Sequence, residues 1–222
     1  MQPSIKMKYK CLVFDHDDTV VNSTATVHHP SFLAYLEKAR PGMSMSLEDY
    51  FLKNFHPGYI QMCKEDFSLS DEELEEETLF WREYVKTRIP EAYKGIREIM
   101  RRHKAEGGII AVISHSFKEN ILRDYRENSL PEPDAVYGWE QPPERRKPNV
   151  WPLEQLMDRF SLKKSEILMI DDLKPGYDMA KAAGVDFAAV GWAHDIPEIE
   201  NFMRENCDMY FKKVSELAEY LG

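Results

Sequence analysis

Two hydrophobic rhythms divide this chain. The first is a short, unbroken apolar run that ends abruptly on polar residues. Cys11-Leu12-Val13-Phe14 stops at Asp15-His16-Asp17-Asp18, Ile109–Ile113 at Ser114-His115-Ser116, and Ile167–Ile170 at Asp171-Asp172; Phe187–Val190 is a fourth apolar run, without the polar stop. Continuous runs of strand-forming residues predict strands buried on both faces, as in a parallel sheet. The second rhythm has helical spacing. Ile96, Ile99, Met100 and His103 outline a helix stopped by Gly107-Gly108. Further helices are predicted over Phe117–Glu127, Val150–Phe160, Met179–Ala183 (stopped by Gly184), Pro197–Glu205 and Val214–Leu221, with short strands at Ala135–Tyr137 and Met209–Phe211. Strands alternating with helices predict an α/β fold with a doubly wound, mostly parallel, Rossmann-like sheet.

Between about His28 and Ile89 the alternation is interrupted. Ser31–Ala39 places Phe32, Leu33, Leu36 and Ala39 at helical spacing and ends at Pro41-Gly42. Leu47–Phe55 reads as a second helix, closed by Pro57-Gly58. Ser70-Asp71-Glu72-Glu73 is a capping box opening a long helix striped by Leu74, Thr78, Trp81 and Val85. Glu75, Glu76 and Glu77 are assigned to its solvated face. The region is therefore a helical insertion, which divides the chain into an α/β core over 1–23 and 90–222 and a helical unit over 24–89.

Charge and composition narrow the function. The chain has 222 residues, 43% of them hydrophobic, a formal net charge of −10 and a sequence pI near 5.3. The acidic balance argues against nucleic acid or an anionic membrane surface as general partner. Cys11, Cys63 and Cys207 are scattered, with no CxxC pair. They read as reduced thiols of a cytoplasmic protein. The leading MQPSIKMKYK has no apolar signal core, and no run is long enough to span a bilayer. None of the seven histidines falls in a zinc-ligand spacing.

Candidate chemistry gathers where the predicted strands end. In a parallel sheet those ends open on one rim. Asp15 and Asp17, Ser114, and Asp171 with Asp172 would meet there, and Lys147 lies on a rigid basic loop, Pro142–Pro148, able to reach it. Like charges at ~4 Å cost about 4 kcal/mol at an effective dielectric of ~20. Either the first acidic group is a turn screened by water, or a cation sits among the carboxylates. Four carboxylates, a hydroxyl and an ammonium suit phosphoryl transfer assisted by a magnesium ion, which takes oxygen ligands.

These motifs resemble, in order, those of the haloacid dehalogenase-like hydrolase superfamily: FDHDDTVVNS its hhhDxDxT motif, VISHS its strand ending in Ser or Thr, RRKPNVWPLEQLM its Lys-Pro before a helix, and MIDDLKPGYDMAKAAGV its acidic pair before an alanine-rich helix. The resemblance implies that Asp15 is the nucleophile and forms an aspartyl-phosphate, and that Asp17 is general acid and then base. Thr19 supports the turn. Ser114 and nearby amides hold the phosphoryl oxygens, with His16, Thr19 and His115 counted among the phosphate-binding residues. Lys147 pairs with Asp15 and the phosphate. Asp15, Asp171, Asp172 and Asp17 (through its backbone carbonyl) hold Mg2+. The presence of Asp17 points to phosphate esters rather than carbon–halogen bonds.

Two departures from the family pattern stand out. Asp18 occupies a position usually held by glycine, adding charge and bulk near the phosphate entrance. Pro175 stands where a further acid often follows, and Asp178 lies too far along to replace it, which leaves that work to Asp172. In this family a helical segment at 24–89 is a mobile cap, with His28, His29, Tyr35, His56 and Tyr59 as candidates for leaving-group contacts. The expected activity is a magnesium-dependent phosphatase acting on a small phosphorylated metabolite, as a monomer or homodimer. A sugar phosphomutase on the same site, a phospho-accepting receiver-like module and a catalytically silent binding protein are the alternatives. The receiver places its acidic pair first and its lone Asp later, the reverse of the order here.

Overall fold

The computed structural model describes residues 7–222. Six parallel strands form one sheet: β1 (Cys11–Phe14), β2 (Ile109–Ile113), β3 (Ala135–Tyr137), β4 (Ile167–Asp171), β5 (Asp186–Val190) and β6 (Met209–Phe211), in the order β3-β2-β1-β4-β5-β6. The first strand of the chain is therefore central, and successive strands are added on either side of it. The predicted doubly wound parallel sheet is the observed one.

The unbroken apolar runs follow from this placement. Successive side chains of a strand point to opposite faces. Cys11, Val13, Ala111, Ile113, Ile167 and Met169 face one layer, packed by α7 (Trp151–Phe160), α8 (Lys174–Ala183) and α9 (Pro197–Asn206). Leu12, Phe14, Ile110, Val112, Leu168 and Ile170 face the other, packed by α5 (Ile96–Ala105), α6 (Lys118–Glu127) and α10 (Val214–Leu221). With both faces covered, the central strands β1, β2 and β4 leave no position for a polar residue until they end.

Register fixes what meets at that end. Phe14 is level with Ile170 on β4 and with Val112 on β2. Asp15, whose amide donates to the Ile170 carbonyl at 2.9 Å, is thus the neighbour of Asp171 across the sheet.

The helical segment contains a π-helical turn (Thr24–His28), α1 (His29–Ala39), α2 (Leu47–Phe55), α3 (Tyr59–Phe67) and α4 (Asp71–Val85). It has a separate apolar core built on Phe32, Tyr35, Leu36, Met62, Cys63 and Phe67. The predicted α2 and the Ser70–Glu73 capping box are present as expected. Two differences concern α3 and α8. Helix α3, absent from the sequence reading, buries Met62, Cys63 and Phe67. Helix α8 begins five residues before the predicted Met179, because Pro175 sits in its first turn, where a missing N–H costs nothing. Glu77 also departs from expectation. It is buried, 4% exposed, rather than solvated. It lies three residues after Leu74 and four before Trp81, and so on the buried stripe itself.

Leu12 lies in the central strand and is 1% exposed. Leu12→Ala should lower unfolding stability by about 2–5 kcal/mol, the range for a large-to-small change in a closed core. A urea-denaturation midpoint that does not move would contradict the layer assignment.

Candidate active site

The carboxyl ends of β1, β2 and β4 carry a buried polar group around Lys147. Its Nζ donates to Asp15 Oδ1 and to Asp171 Oδ2, each at 2.7 Å, and all three residues are buried. Burial alone would lower the lysine pKa, but the two carboxylates more than compensate and keep the ammonium charged. Asp171 Oδ1 accepts from the Leu173 amide at 2.8 Å. Asp172 Oδ1 accepts from Thr19 Oγ1 at 3.2 Å, whereas its Oδ2 is buried without a partner. Burial and the neighbouring carboxylates push the Asp172 pKa well up, and burial pushes Asp15 up to about 7 against the pull of Lys147.

This group fits a hard divalent cation. One oxygen each from Asp15, Asp171 and Asp172 lies within 4.8 Å of the others, all three residues are buried, and Asp172 has an oxygen without a partner. Three carboxylates against one ammonium leave negative charge for a cation to offset, and an all-oxygen set suits Mg2+. Gly176, in the first turn of α8, permits this packing. A Cβ there would lie 2.1 Å from Asp171 Oδ2.

Asp17 faces the other way. Its Oδ1 receives Ser23 Oγ at 2.7 Å and His28 Nε2 at 2.8 Å, and its Oδ2 receives Ser116 Oγ at 2.6 Å and, more weakly, Ser114 Oγ at 3.4 Å. Burial pushes the Asp17 carboxyl up; these donors, His28 foremost, outweigh it and hold it well below the ordinary range. Trp81 Nε1 in turn donates to His28 Nδ1 at 2.9 Å. An indole N–H only donates, so Nδ1 is the acceptor and His28 is the neutral tautomer protonated on Nε2. The adjacent Asp17 carboxylate favours a second proton on this ring, but the indole occupies the nitrogen that would take it. A chain Trp81–His28–Asp17 therefore runs from α4 to the loop after β1.

The remaining expected site residues divide. Thr19 supports the loop through Asp172. His16 does not present its side chain to the cleft: Nε2 faces Asp124 Oδ2 at 3.1 Å under the loop. Ser114 turns its hydroxyl to Asp17 and to the Ser116 amide, and it does not cap α6. His115 lines the cleft with Nε2 on the Lys147 carbonyl at 3.1 Å. The Asp17 side chain lies outside the carboxylate cluster, which leaves only its backbone for a metal. Asp18 adopts φ +60°, a left-handed conformation that asparagine, aspartate and glycine tolerate best. It is stitched in by the Thr24 amide, which donates to Oδ1 at 3.1 Å, and burial raises its pKa to about 6. Asp178 pairs with Lys174 outside the site.

A cleft of about 710 Å³ opens over Asp15 and Lys147 and reaches the helical segment. Of the five cap candidates, His28 and Tyr59 line it. His29 bonds the Met45 carbonyl, Tyr35 is in the helical core, and His56 is exposed outside the cleft. Sequence reasoning missed Ser116, Glu77, Trp81 and Trp139. Ser116 had a signal in its position two residues beyond Ser114; the others depend on how the helices pack.

A sequence profile of haloacid dehalogenase-like hydrolases matches residues 12–190. The chain is 26% identical to pyrophosphatase PpaX of Halalkalibacterium halodurans over 220 residues, covering 97% of this chain and 98% of the relative. Its fold matches that of a predicted phosphoglycolate phosphatase from Haemophilus somnus (TM-score 0.76, 19% identity, 98% and 100% of the two chains). It also matches a haloacid dehalogenase-like hydrolase from Streptococcus pneumoniae (TM-score 0.76, 17% identity, 97% and 99%). Among the described residues, no helix is long and apolar enough to cross a membrane.

Two predictions follow from the geometry. Asp15 has a folded pKa of about 7, above its ordinary value of 3.8. The folded, metal-free protein then binds more protons than the unfolded chain between these values, so this group's contribution to stability falls as pH rises from about 4 to about 7. Added Mg2+ should raise the melting temperature more at pH 7.5 than at pH 5; an equal rise at both would argue against a metal among these carboxylates. Gly176→Ala should displace Asp171 and weaken Mg2+ affinity, read from the Mg2+ dependence of the melting temperature, by roughly tenfold or more; retention of wild-type Mg2+ response would show that Asp171 is not a ligand.

Proposed function

The chain belongs to the haloacid dehalogenase-like hydrolase family, and from that premise we propose that it is a magnesium-dependent phosphatase hydrolysing a small phosphomonoester through an aspartyl-phosphate on Asp15. The observation that carries this reading is Lys147 held between Asp15 and Asp171, beside an unpartnered Asp172 oxygen. Such a group combines a nucleophile, a fixed positive charge and a cation site at one strand edge. When bound, Mg2+ would supply charge neutralisation for the approaching phosphate, held by Asp15, Asp171, Asp172 and the Asp17 backbone.

Lys147 occupies Asp15 Oδ1, which leaves Oδ2 as the attacking atom. As the Oδ2–phosphorus bond forms, the bond from phosphorus to the leaving oxygen breaks. Lys147 offsets the charge that Asp15 and the phosphoryl group bring together. Asp17 takes up the proton that the phosphomonoester monoanion carries in, gives it to the departing alkoxide as the phosphorus–oxygen bond breaks, then takes the proton of the water that attacks phosphorus and frees Asp15. To do so, Asp17 exchanges its bond to His28 for one to the leaving oxygen, and phosphate charge beside it raises its proton affinity. The helical segment 24–89 acts as the cap, and the Trp81–His28–Asp17 chain ties its position to that of the acid. The relatives' names, pyrophosphatase and phosphoglycolate phosphatase, fit a reaction at phosphorus.

Asp15→Asn should abolish turnover of 4-nitrophenyl phosphate while leaving the circular dichroism spectrum intact, since it removes the nucleophile and relieves repulsion. Wild-type activity in this variant would remove Asp15 from the role. Asp17→Asn should slow alkyl phosphates by roughly 10²–10⁴-fold, the range for general acid–base catalysis, and aryl phosphates with good leaving groups much less. Equal losses on both would exclude Asp17 as the acid.

A further inference from the structure

The cleft above Asp15 has an upper end that the chemistry at phosphorus does not use. Glu77 of α4 lines it while only 4% exposed. Tyr50, Tyr59 and Trp81 line the same end, and the Tyr50 and Tyr59 rings meet edge to face with centroids 6.3 Å apart. No lysine or arginine pairs with Glu77 among the described residues. Burial accordingly pushes its carboxyl pKa up, with only partial relief from the Tyr59 hydroxyl. This carboxyl, walled by aromatic rings, has a hydroxyl partner in Tyr59 but no cation of its own among the described residues.

The cleft's own positive groups are already engaged. Lys147 is held by Asp15 and Asp171, and Lys64, at the rim, pairs with Asp71 at 2.6 Å. His28 is committed on both ring nitrogens, to Asp17 and to Trp81. Desolvation and the neighbouring Lys147 ammonium hold the His115 pKa down, at about 4, and its Nε2 faces the Lys147 carbonyl. No arginine lines the cleft among the described residues, whereas Asp15, Asp17, Asp18, Glu65 and Glu77 do. A second anionic group on the substrate would meet carboxylates and no free cation. A positive group would meet Glu77 and the faces of aromatic rings, which attract cations.

We propose that this upper end is a cation subsite, and that the leaving alcohol carries an amino or quaternary ammonium group seated against Glu77, Tyr50, Tyr59 and Trp81. The inference rests on the phosphatase reading for its reaction but not for its binding. It separates this chain from relatives named for pyrophosphate and phosphoglycolate, whose substrates bring a second negative charge.

The test compares kcat/KM for phosphocholine, its uncharged carbon isostere 3,3-dimethylbutyl phosphate, 2-phosphoglycolate and pyrophosphate. Phosphocholine should exceed the isostere by about tenfold or more, equivalent to about 1.4 kcal/mol, with both anionic substrates slower still. In Glu77→Gln the ratio of phosphocholine to isostere should fall towards one. An isostere or an anionic substrate that equals phosphocholine in the wild type, or a ratio that survives in Glu77→Gln, overturns the subsite. Should that variant not fold, the wild-type series decides alone. Choline binding to the wild type, followed by tryptophan fluorescence, reads the subsite without turnover, and its absence also overturns it. Failure to hydrolyse 4-nitrophenyl phosphate with Mg2+ would instead reject the phosphatase reading.

Discussion

Crowded negative charge at the end of the central strand is the constraint around which this molecule is arranged. Asp15, Asp171 and Asp172 are all buried, and the sheet gives them no distance over which to relax. An isolated carboxylate would neutralise under such burial, and a pair without compensation would cost several kcal/mol. Lys147 supplies part of the compensation from a loop 24 residues before Asp171 in sequence. Its ammonium joins the acids of two adjacent strands, so the ends of β1 and β4 are held by charge as well as by the backbone ladder. The remaining excess, and the Asp172 oxygen without a partner, suit the same spot to a cation.

A second dependence links the two parts of the chain. Asp17 is two residues from Asp15, yet its side chain is directed to the helical segment by Ser23, His28 and Ser116. Trp81 holds His28 from α4. Two neighbouring acids thus have opposite environments: Asp15 is pushed up by burial, while Asp17 is held down by donors. The difference comes from the partners each side chain finds and not from its place in the chain. It also makes the position of the helices a term in the behaviour of the acid. Asp18, standing where the family usually has glycine, is accommodated because aspartate tolerates the left-handed backbone and its carboxylate finds the Thr24 amide.

Much of this was legible in the order of residues. The strands could be read because a sheet covered on both faces requires unbroken apolar runs, and the acids and Ser114 stood out because they end those runs. The helices of the α/β core were marked by periodicity and by glycine or proline punctuation, and Ser70 and Glu73 announced the start of α4. Glu77 was misread because three adjacent glutamates suggest a solvated face, although its spacing from Leu74 and Trp81 places it inside. His16 and Ser114 occupied the right loops, but the orientation of a side chain depends on the partner it finds, here Asp124 and Asp17.

The residue order by itself determined the class of fold and the inventory of reactive groups at the strand ends, because local hydrophobic patterning dictates which segments are buried and where burial must stop. Only the tertiary structure decided which groups meet. The register of β1 on β4 set Asp15 beside Asp171, the reach of the Pro142–Pro148 loop brought Lys147 between them, and the packing of α4 turned Glu77 and Trp81 into the cleft. Those outcomes depend on contacts between segments far apart in the chain, and no local pattern carries that information.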